Sequence, residues 1–560
     1  MKLKLKTLTP VHVSTGNELE ALDYLQSKGV IYRIHLDRAL EIITAEYPDA
    51  PVKFAEWIDS KIFGMERADN RGYEPANKQQ SLIRQGTDLK NFCESKLRDN
   101  SLVHKIISGA TLYKADAPYG LDGKIRINEQ IKDSSSQPYI PGSSLKGAIK
   151  TVLAANAWGK YSAQEREKVL VKCRKTGKHN KVSYKDDDLL KFLFSCETTG
   201  RERSDAARFS IMRFFRFSDA HPVCDDNSLN LEVFPVNLYN RNKSPQTQTN
   251  PQEVIPAGMI LEFDFTVDVE GLTRAIHESR KPEGIWRGLE QKIEKLFNVK
   301  TGSVPKDKLE QVLYEGLLGV MSEQAGKALA KDQEWQRGLN YSMGENGLSK
   351  EVIHKLDDLF KAALATTVGT IRIGWGSGFL STTIFNTLLK TDRKYLEEMF
   401  VNAQLGVPRG GGKRFEAPNL EYFPKSKRLT AISEFTPESM LGWVRIGSDL
   451  TADPRPERNV VVIAETGTSP EPEILSPEEQ TAKLKEANEK LKLKDTINMA
   501  AVVTGSETPF VNCRILHKDL EMETYKAKYA AGLSAGTFVS LKVTFQKPGK
   551  VQNVTFAKTL

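Results

Sequence analysis

A histidine, a pair of serines and a pair of lysines carry the chemical possibilities of this sequence. His12 stands in Thr9-Pro-Val-His-Val-Ser-Thr-Gly16, between an alternating Lys/Leu run and a glycine turn. There it could act as general base on an RNA hydroxyl or simply hold a backbone, and the sequence places no second acid–base residue to decide between them. Ser143, Ser144, Lys146 and Lys150 stand in Pro138-Tyr-Ile-Pro-Gly-Ser-Ser-Leu-Lys-Gly-Ala-Ile-Lys-Thr151. Pro138, Pro141 and Gly142 mark a rigid turn, and Ser143 or Ser144 can cap a helix starting at Leu145. Lys146 and Lys150 then share one helix face at i,i+4 spacing. Free N–H groups, hydroxyls and cations at a helix start attract anions, phosphates above all. The plain alternative is a turn that starts a packed helix.

Specific positions remove the NTPase and serine-enzyme readings. Gly142 and Gly147 have the separation of a nucleotide-binding P-loop, but Ala148 sits where its lysine belongs. Gly412-Lys413 is followed by Arg414, and Val407 occupies the upstream glycine place. Ser143-x-x-Lys146 with Lys175-Thr176-Gly177 is similar to penicillin-binding enzymes, yet Ser218-Asp219-Ala220 comes after Lys-Thr-Gly instead of before it. Ser377 is no nucleophile elbow, because Trp375 stands where glycine is required.

Two further glycine-rich turns recur with cations. Arg372 precedes Gly374-Trp375-Gly376-Ser377-Gly378, and Arg409, Lys413 and Arg414 flank a cluster over 406–414. Glycine admits a ligand backbone closely and cations neutralise phosphates, so a single-stranded nucleic acid is the simplest polyanion for several separated loops. Trp375 and Phe379 could stack on bases or fill the core. Cys173, His179, Cys196, His221 and Cys224 lie near one another, and His221-Pro-Val-Cys224 has ligand-like spacing. The rest are irregular, so zinc stays open and no metal is expected. Asp219, ending a short strand, reads as a turn or cap residue.

The elements that must position these residues belong to an ordinary globular composition: 560 residues, 39% hydrophobic, 27% charged, net charge +8. The mild positive balance favours polyanionic partners. Five scattered cysteines argue against a disulfide framework. With no signal peptide or membrane-length apolar run, the expected compartment is the reducing cytoplasm. Strands are expected near 2–8, 30–35, 103–113, 211–218, 229–238, 259–269, 370–373 and 441–446. Helices are expected near 37–47, 51–63, 78–99, 145–158 and 380–389, with 284–365 a mainly helical insertion. Residues 240–252 read as a polar loop. Composition shifts after 448. Residues 449–496 read as a linker plus a charged helix, and 497–560 as a small β module, OB-like or barrel-like.

The motifs resemble a known group. Thr9–Gly16 looks like the N-terminal signature of the RAMP superfamily of CRISPR proteins. Pro138–Thr151 looks like that of its fifth Csm subunit, of type III-A effector complexes. Phe217-Ser-Asp219, Ile373-Gly-Trp-Gly-Ser-Gly378 and Leu441-Gly-Trp-Val444 agree in order and spacing across residues 1–448. The resemblance implies an α+β protein with a ferredoxin-like core, related to RNA-recognition modules and carrying large insertions. It implies a non-catalytic subunit at the 3′ end of the CRISPR RNA, capping the filament of backbone subunits beside the small subunits. RNA-end trimming would fall to recruited host nucleases, and no cofactor is implied. The RNA contacts expected are His12, Ser14, Gly16, Gly142, Ser143, Ser144, Lys146, Gly147, Lys150, Arg372, Gly374, Trp375, Gly376, Ser377, Gly378, Arg409, Lys413 and Arg414. The competing reading is a metal-independent CRISPR RNA-processing endonuclease using His12. Residues 449–560 extend beyond the family's usual end.

Overall fold

The computed structural model describes residues 1–69, 88–119, 126–176, 182–196, 208–223, 231–240, 243–246, 250–281, 285–342, 369–403, 405, 419–433, 436–452, 481, 484–485, 488–489, 496–507, 510–520, 523–528, 537–547 and 550–559. The chain is mixed α and β and divides into two units, Met1–Ile463 and Ala464–Leu560.

In the first unit the Lys/Leu alternation does what its period dictates. Lys2–Thr7 is a strand whose Leu3 and Leu5 point into the core while the lysines point away. It lies inside a six-stranded sheet, antiparallel to Ile260–Val267 on one side and to Trp443–Gly447 on the other. Leu5 is thereby paired with Leu261 and with Ile446. Phe215–Phe217 and His221–Pro222 extend one edge, and Thr370–Arg372 forms the other. Helix Gly142–Trp158 connects the first strand toward Phe215–Phe217, and Leu145, Ile149 and Leu153 join Leu3 and Leu5 in one apolar core. Helix Leu309–Ser342 plays the corresponding part between Ile260–Val267 and Thr370–Arg372.

A seven-stranded sheet runs in the order Ser14–Leu19, Ile127–Gln130, Gln252–Val254, Leu231–Phe234, Thr111–Asp116, Val30–Ile34, Tyr24–Ser27. Helices Leu36–Glu46 and Ser101–Ala110 share a second core with Trp57 and Phe92. A third sheet pairs Val236–Asn240 with Lys243–Gln246 and Ser426–Ser433, and the latter with Thr436–Ser439. Among the described residues no helix is long and apolar enough to cross a membrane.

Several expected elements are corrected. The stretch 103–113 is not one strand: Ser101–Ala110 is helical, because Leu102, Ile106 and Ala110 recur at i,i+4 and are all buried. Its strand begins only at Thr111. Ser14–Leu19, read as a turn, pairs with Ile127–Gln130. The polar loop 240–252 contains the strand Lys243–Gln246, which borrows its partner from Val236–Asn240. Only residues 88–99 of the expected 78–99 helix are described, and most of 449–496, with its expected charged helix, also lies outside the described residues.

The second unit is a five-stranded antiparallel sheet in the order Tyr525–Lys528, Phe510–Ile515, Thr496–Glu507, Phe538–Lys547, Lys550–Thr559. One face is apolar and buried: Met499, Ala501 and Val503, Val511 and Cys513, Leu541 and Val543. Asn488, in helical conformation before the sheet, donates to the carbonyls of Ala500 and Leu516 and accepts from the Ala500 N–H.

Candidate nucleic-acid interface

His12 sits beneath the surface at 0% exposure. Its Nδ1 lies 2.6 Å from the carbonyl oxygen of Glu253, and its Nε2 is buried without a partner. Burial, helped by nearby Lys132, pushes the imidazole down to about 4, so the ring is neutral at pH 7 with Nδ1–H as donor. A ring so enclosed and so weakly basic is poorly placed to take a proton from an RNA hydroxyl.

The Glu253 side chain anchors this region. Buried at 0% exposure, it accepts from the Tyr113 hydroxyl (2.8 Å), the Gln130 N–H (3.0 Å) and the Lys132 ammonium (2.6 Å). Gln130 in turn accepts from the Val13 N–H. Nothing local in the sequence marks Glu253 or Lys132: Glu253 lies in the strand Gln252–Val254, and Lys132 just past the end of Ile127–Gln130, far away in the chain.

The His12 carbonyl accepts from the Trp375 N–H at 2.8 Å. Gly374, at φ +75°, lies against it so closely that a Cβ would come 2.3 Å from that oxygen. Thr9 Oγ1 accepts from the Trp443 N–H, Pro10 accepts from the Gly442 N–H, and Gly442 accepts from the Ile373 N–H. The three signatures at residues 9–16, 373–378 and 441–444 are therefore one hydrogen-bonded knot. Arg372 is inside it, donating to the carbonyls of Leu441 (2.7 Å) and Gly376 (3.2 Å) and to Asp332 (3.3 Å). Burial pushes its guanidinium down to about 9. Ser377 is also spent internally, donating to the Gly374 carbonyl. These partners correct the expectation for Arg372 and Ser377, whose polar atoms shape the turn. Trp375 is half-buried, with the exposed Arg428 guanidinium 5.1 Å above its ring. Ser14, Gly16 and Gly378 are exposed.

The Pro138–Thr151 stretch forms its helix, but from Gly142 with Pro141 as N-cap and no serine cap. The capping group is Asp219, whose Oδ1 accepts from the Gly142 N–H at 2.8 Å. Gly142 is there because a Cβ would come 2.2 Å from the Phe217 carbonyl oxygen. An internal carboxylate thus already serves the first N–H of the expected phosphate site.

One turn further along, cations gather. Lys146 donates to the Phe215 carbonyl, and Lys150 lies over the Phe194 ring at 5.2 Å. Burial first, then Lys150 and Arg216, lower the pKa of Lys146. Like charges held together are unfavourable until an anion joins them. Arg216 went unnoticed as a site residue, although the alternation Arg213-Phe-Phe-Arg-Phe places it on the solvent side of its strand. Ser143 and Gly147 are exposed beside this cluster, Ser144 is half-buried, and Gly147 has open space around it. A mainly apolar cavity of about 430 Å³ opens next to Lys150, lined by Phe379, Phe385, Leu388, Tyr395 and Met399.

The family described as RAMPs: RAMP superfamily matches residues 4–381. The chain belongs to the RAMP superfamily. It is similar to Csm5 of the CRISPR system of Streptococcus thermophilus, 23% identical over 63% of this chain and 87% of that protein. It is also similar to Csm5 of Methanocaldococcus jannaschii, 21% identical over 80% of this chain and 88% of that protein. Among solved structures it is similar to a chain of the cryo-EM structure of a Csm–crRNA–target RNA ternary complex of a type III-A CRISPR-Cas system. That match has TM-score 0.48 and 20% identity, over 80% of this chain and all of that one. The crystal structure of T. onnurineus Csm5 matches with TM-score 0.45 and 21% identity, over 79% and 99%.

Of the RNA contacts expected in this RAMP protein, Arg409, Lys413 and Arg414 lie outside the described residues, as do His179 and Cys224 of the zinc reading. Cys173 and Cys196 are buried, and His221 stacks on Tyr139 at 5.4 Å. Among the described residues no group of His, Cys, Asp and Glu is arranged to hold a metal ion.

Proposed function

We propose that this protein is a non-catalytic RNA-binding subunit of a type III-A CRISPR ribonucleoprotein, working in the cytoplasm in antiviral defence. It sits at the 3′ end of the CRISPR RNA, caps the filament of backbone subunits beside the small subunits, and supports trimming of the RNA end by host nucleases. Residues 1–448 are the RAMP core. Its central sheet, with a helix after the first strand and another after Ile260–Val267, is read as ferredoxin-like.

The observation that carries this reading is the Lys146–Lys150–Arg216 cluster beside exposed Ser143 and Gly147. Three like charges meet next to backbone that a ligand can approach, as a phosphate chain requires. The name Csm5 of the similar proteins points the same way. The enclosure of His12 supports binding without cleavage.

The test is RNA binding measured by fluorescence anisotropy across a salt series. The Lys150→Ala/Arg216→Ala variant should bind single-stranded RNA more weakly, with a log K against log[salt] slope shallower by about 1.4. An unchanged slope would remove the cluster from the interface. Incubation with repeat RNA in EDTA should give no cleavage; specific cleavage lost in His12→Ala would replace this reading with the endonuclease.

A further inference from the structure

We infer that the solvent face of the Thr496–Thr559 sheet is a second binding surface, for single-stranded nucleic acid. The strand register fixes which residues share that face. Val502 is paired with Arg514 on one side and with Phe538 on the other, so these three form a row across the sheet. Asn512 is paired with Lys526, Phe510 with Lys528, and Lys542 with Asn498 and Thr555. All belong to one alternation set, because Val511, Cys513, Ala501, Val539 and Leu541 fill the buried side.

The charges on this sheet are sorted by sign. Every charged residue on Phe510–Ile515, Tyr525–Lys528, Phe538–Lys547 and Lys550–Thr559 is Lys or Arg. Asp519 and Glu523 fall between strands, and the one acid on a strand is Glu507, at its end, paired with Phe510. The whole chain holds 72 acidic against 80 basic residues, so seven Lys or Arg against Glu507 alone on the five strands does not follow from composition. An ordinary solvated β surface mixes both signs. Arg514, Lys526 and Lys542 are exposed.

Phe510, 42% exposed, is paired with Lys528 on one side and Glu507 on the other, on the same strand as Arg514. A ring left in water on a mainly basic sheet gains by stacking on a base, while the cations follow the phosphates, and neither contact selects sequence. An acidic protein segment would use the cations but has no need of the exposed ring. The inference does not depend on the Lys146–Lys150–Arg216 reading, since it rests on residues of the other unit.

The experiment uses the full chain with fluorescent oligouridylate, oligothymidylate and polyglutamate. It compares Arg514→Ala/Lys542→Ala and Phe510→Ala, each alone and in the Lys150→Ala/Arg216→Ala background so that the other cluster cannot mask the effect. The double charge variant should lower the salt slope for oligouridylate by about 1.4. Phe510→Ala should weaken binding about fivefold or more with the slope unchanged. Equal losses with oligothymidylate mean that single strands are held without regard to the 2′-hydroxyl; losses confined to oligouridylate make the surface RNA-specific. Either result supports the inference. No change in either variant overturns it, and so does tight polyglutamate binding that only the charge variant weakens. If the Lys150/Arg216 substitutions alone have no effect while the sheet variants do, the first reading fails and this one stands.

Discussion

Gly142 and Gly374 stand in one kind of place, Gly147 and Gly16 in another, and the four look alike as letters. At Gly142 the approaching group is the Phe217 carbonyl, and at Gly374 the His12 carbonyl; a Cβ would come 2.2 and 2.3 Å from them. At Gly147 and Gly16 nothing lies within 4 Å. A glycine shows that backbone must come close or bend unusually, but not whether that backbone belongs to the protein or to a ligand. Gly374 is consumed in building the knot, and Gly142 in seating the helix start against Phe217 and Ser218. At the second pair the space beside the backbone is open.

The sharpest way to break this distinction is Gly374→Ala. A left-handed Cβ costs about 1–2 kcal/mol, and crowding against the His12 carbonyl about 1–3 kcal/mol more. Urea unfolding should therefore lose about 2–5 kcal/mol; a loss below 1 kcal/mol would mean the knot yields easily. Acid attacks the same knot from the other side. The folded-state pKa of His12, about 4, lies below its ordinary 6.5. The unfolded chain therefore binds a proton that the folded chain refuses, and stability is full above pH 6.5 and falls as pH drops toward 4. The integrated loss is about 3 kcal/mol. Unfolding midpoints at pH 7 and pH 4.5 should show it, and His12→Asn should flatten the dependence.

Asp219→Asn keeps the acceptor for Gly142 but drops the charge. Stability should fall by about 0.3–1 kcal/mol through the helix dipole, while RNA affinity rises as a repelling carboxylate disappears. Unchanged affinity in anisotropy would place the RNA away from this helix start. Gly147→Ala should act in the opposite sense: helix propensity should raise stability by about 1 kcal/mol. If RNA backbone passes over Gly147, affinity should fall in the same variant. A variant both more stable and equally tight would show this glycine to be free of the ligand too.

Periodic stretches were legible in the sequence. Leu3 and Leu5 on the first strand, and Leu145, Ile149 and Leu153 on the helix, bury as their spacing requires. Ser101–Ala110 was misread because Val103, Ile106 and Ile107 favour strands singly, while the i,i+4 set Leu102–Ile106–Ala110 decides. Of the site, the knot's three signatures could be seen but not their joining, which runs through backbone bonds between distant segments. Glu253 could not be seen at all. It borders a polar run, and its importance lies wholly in Tyr113, Gln130 and Lys132 from distant parts of the chain. Asp219 was recognised as a possible cap, with no means of saying of which helix.

The place of Lys2–Thr7 inside its sheet has a consequence for synthesis. Its two flanking strands are Ile260–Val267 and Trp443–Gly447. At about 5–20 residues per second, the second of them emerges on the order of tens of seconds after the first strand has left the ribosome. During that interval a strand with Leu3 and Leu5 on one face has neither neighbour, and each alternate lysine discourages stray pairing with other nascent chains. The Lys/Leu run therefore protects its own waiting period, and replacing those lysines would be felt first as poor yield of folded protein.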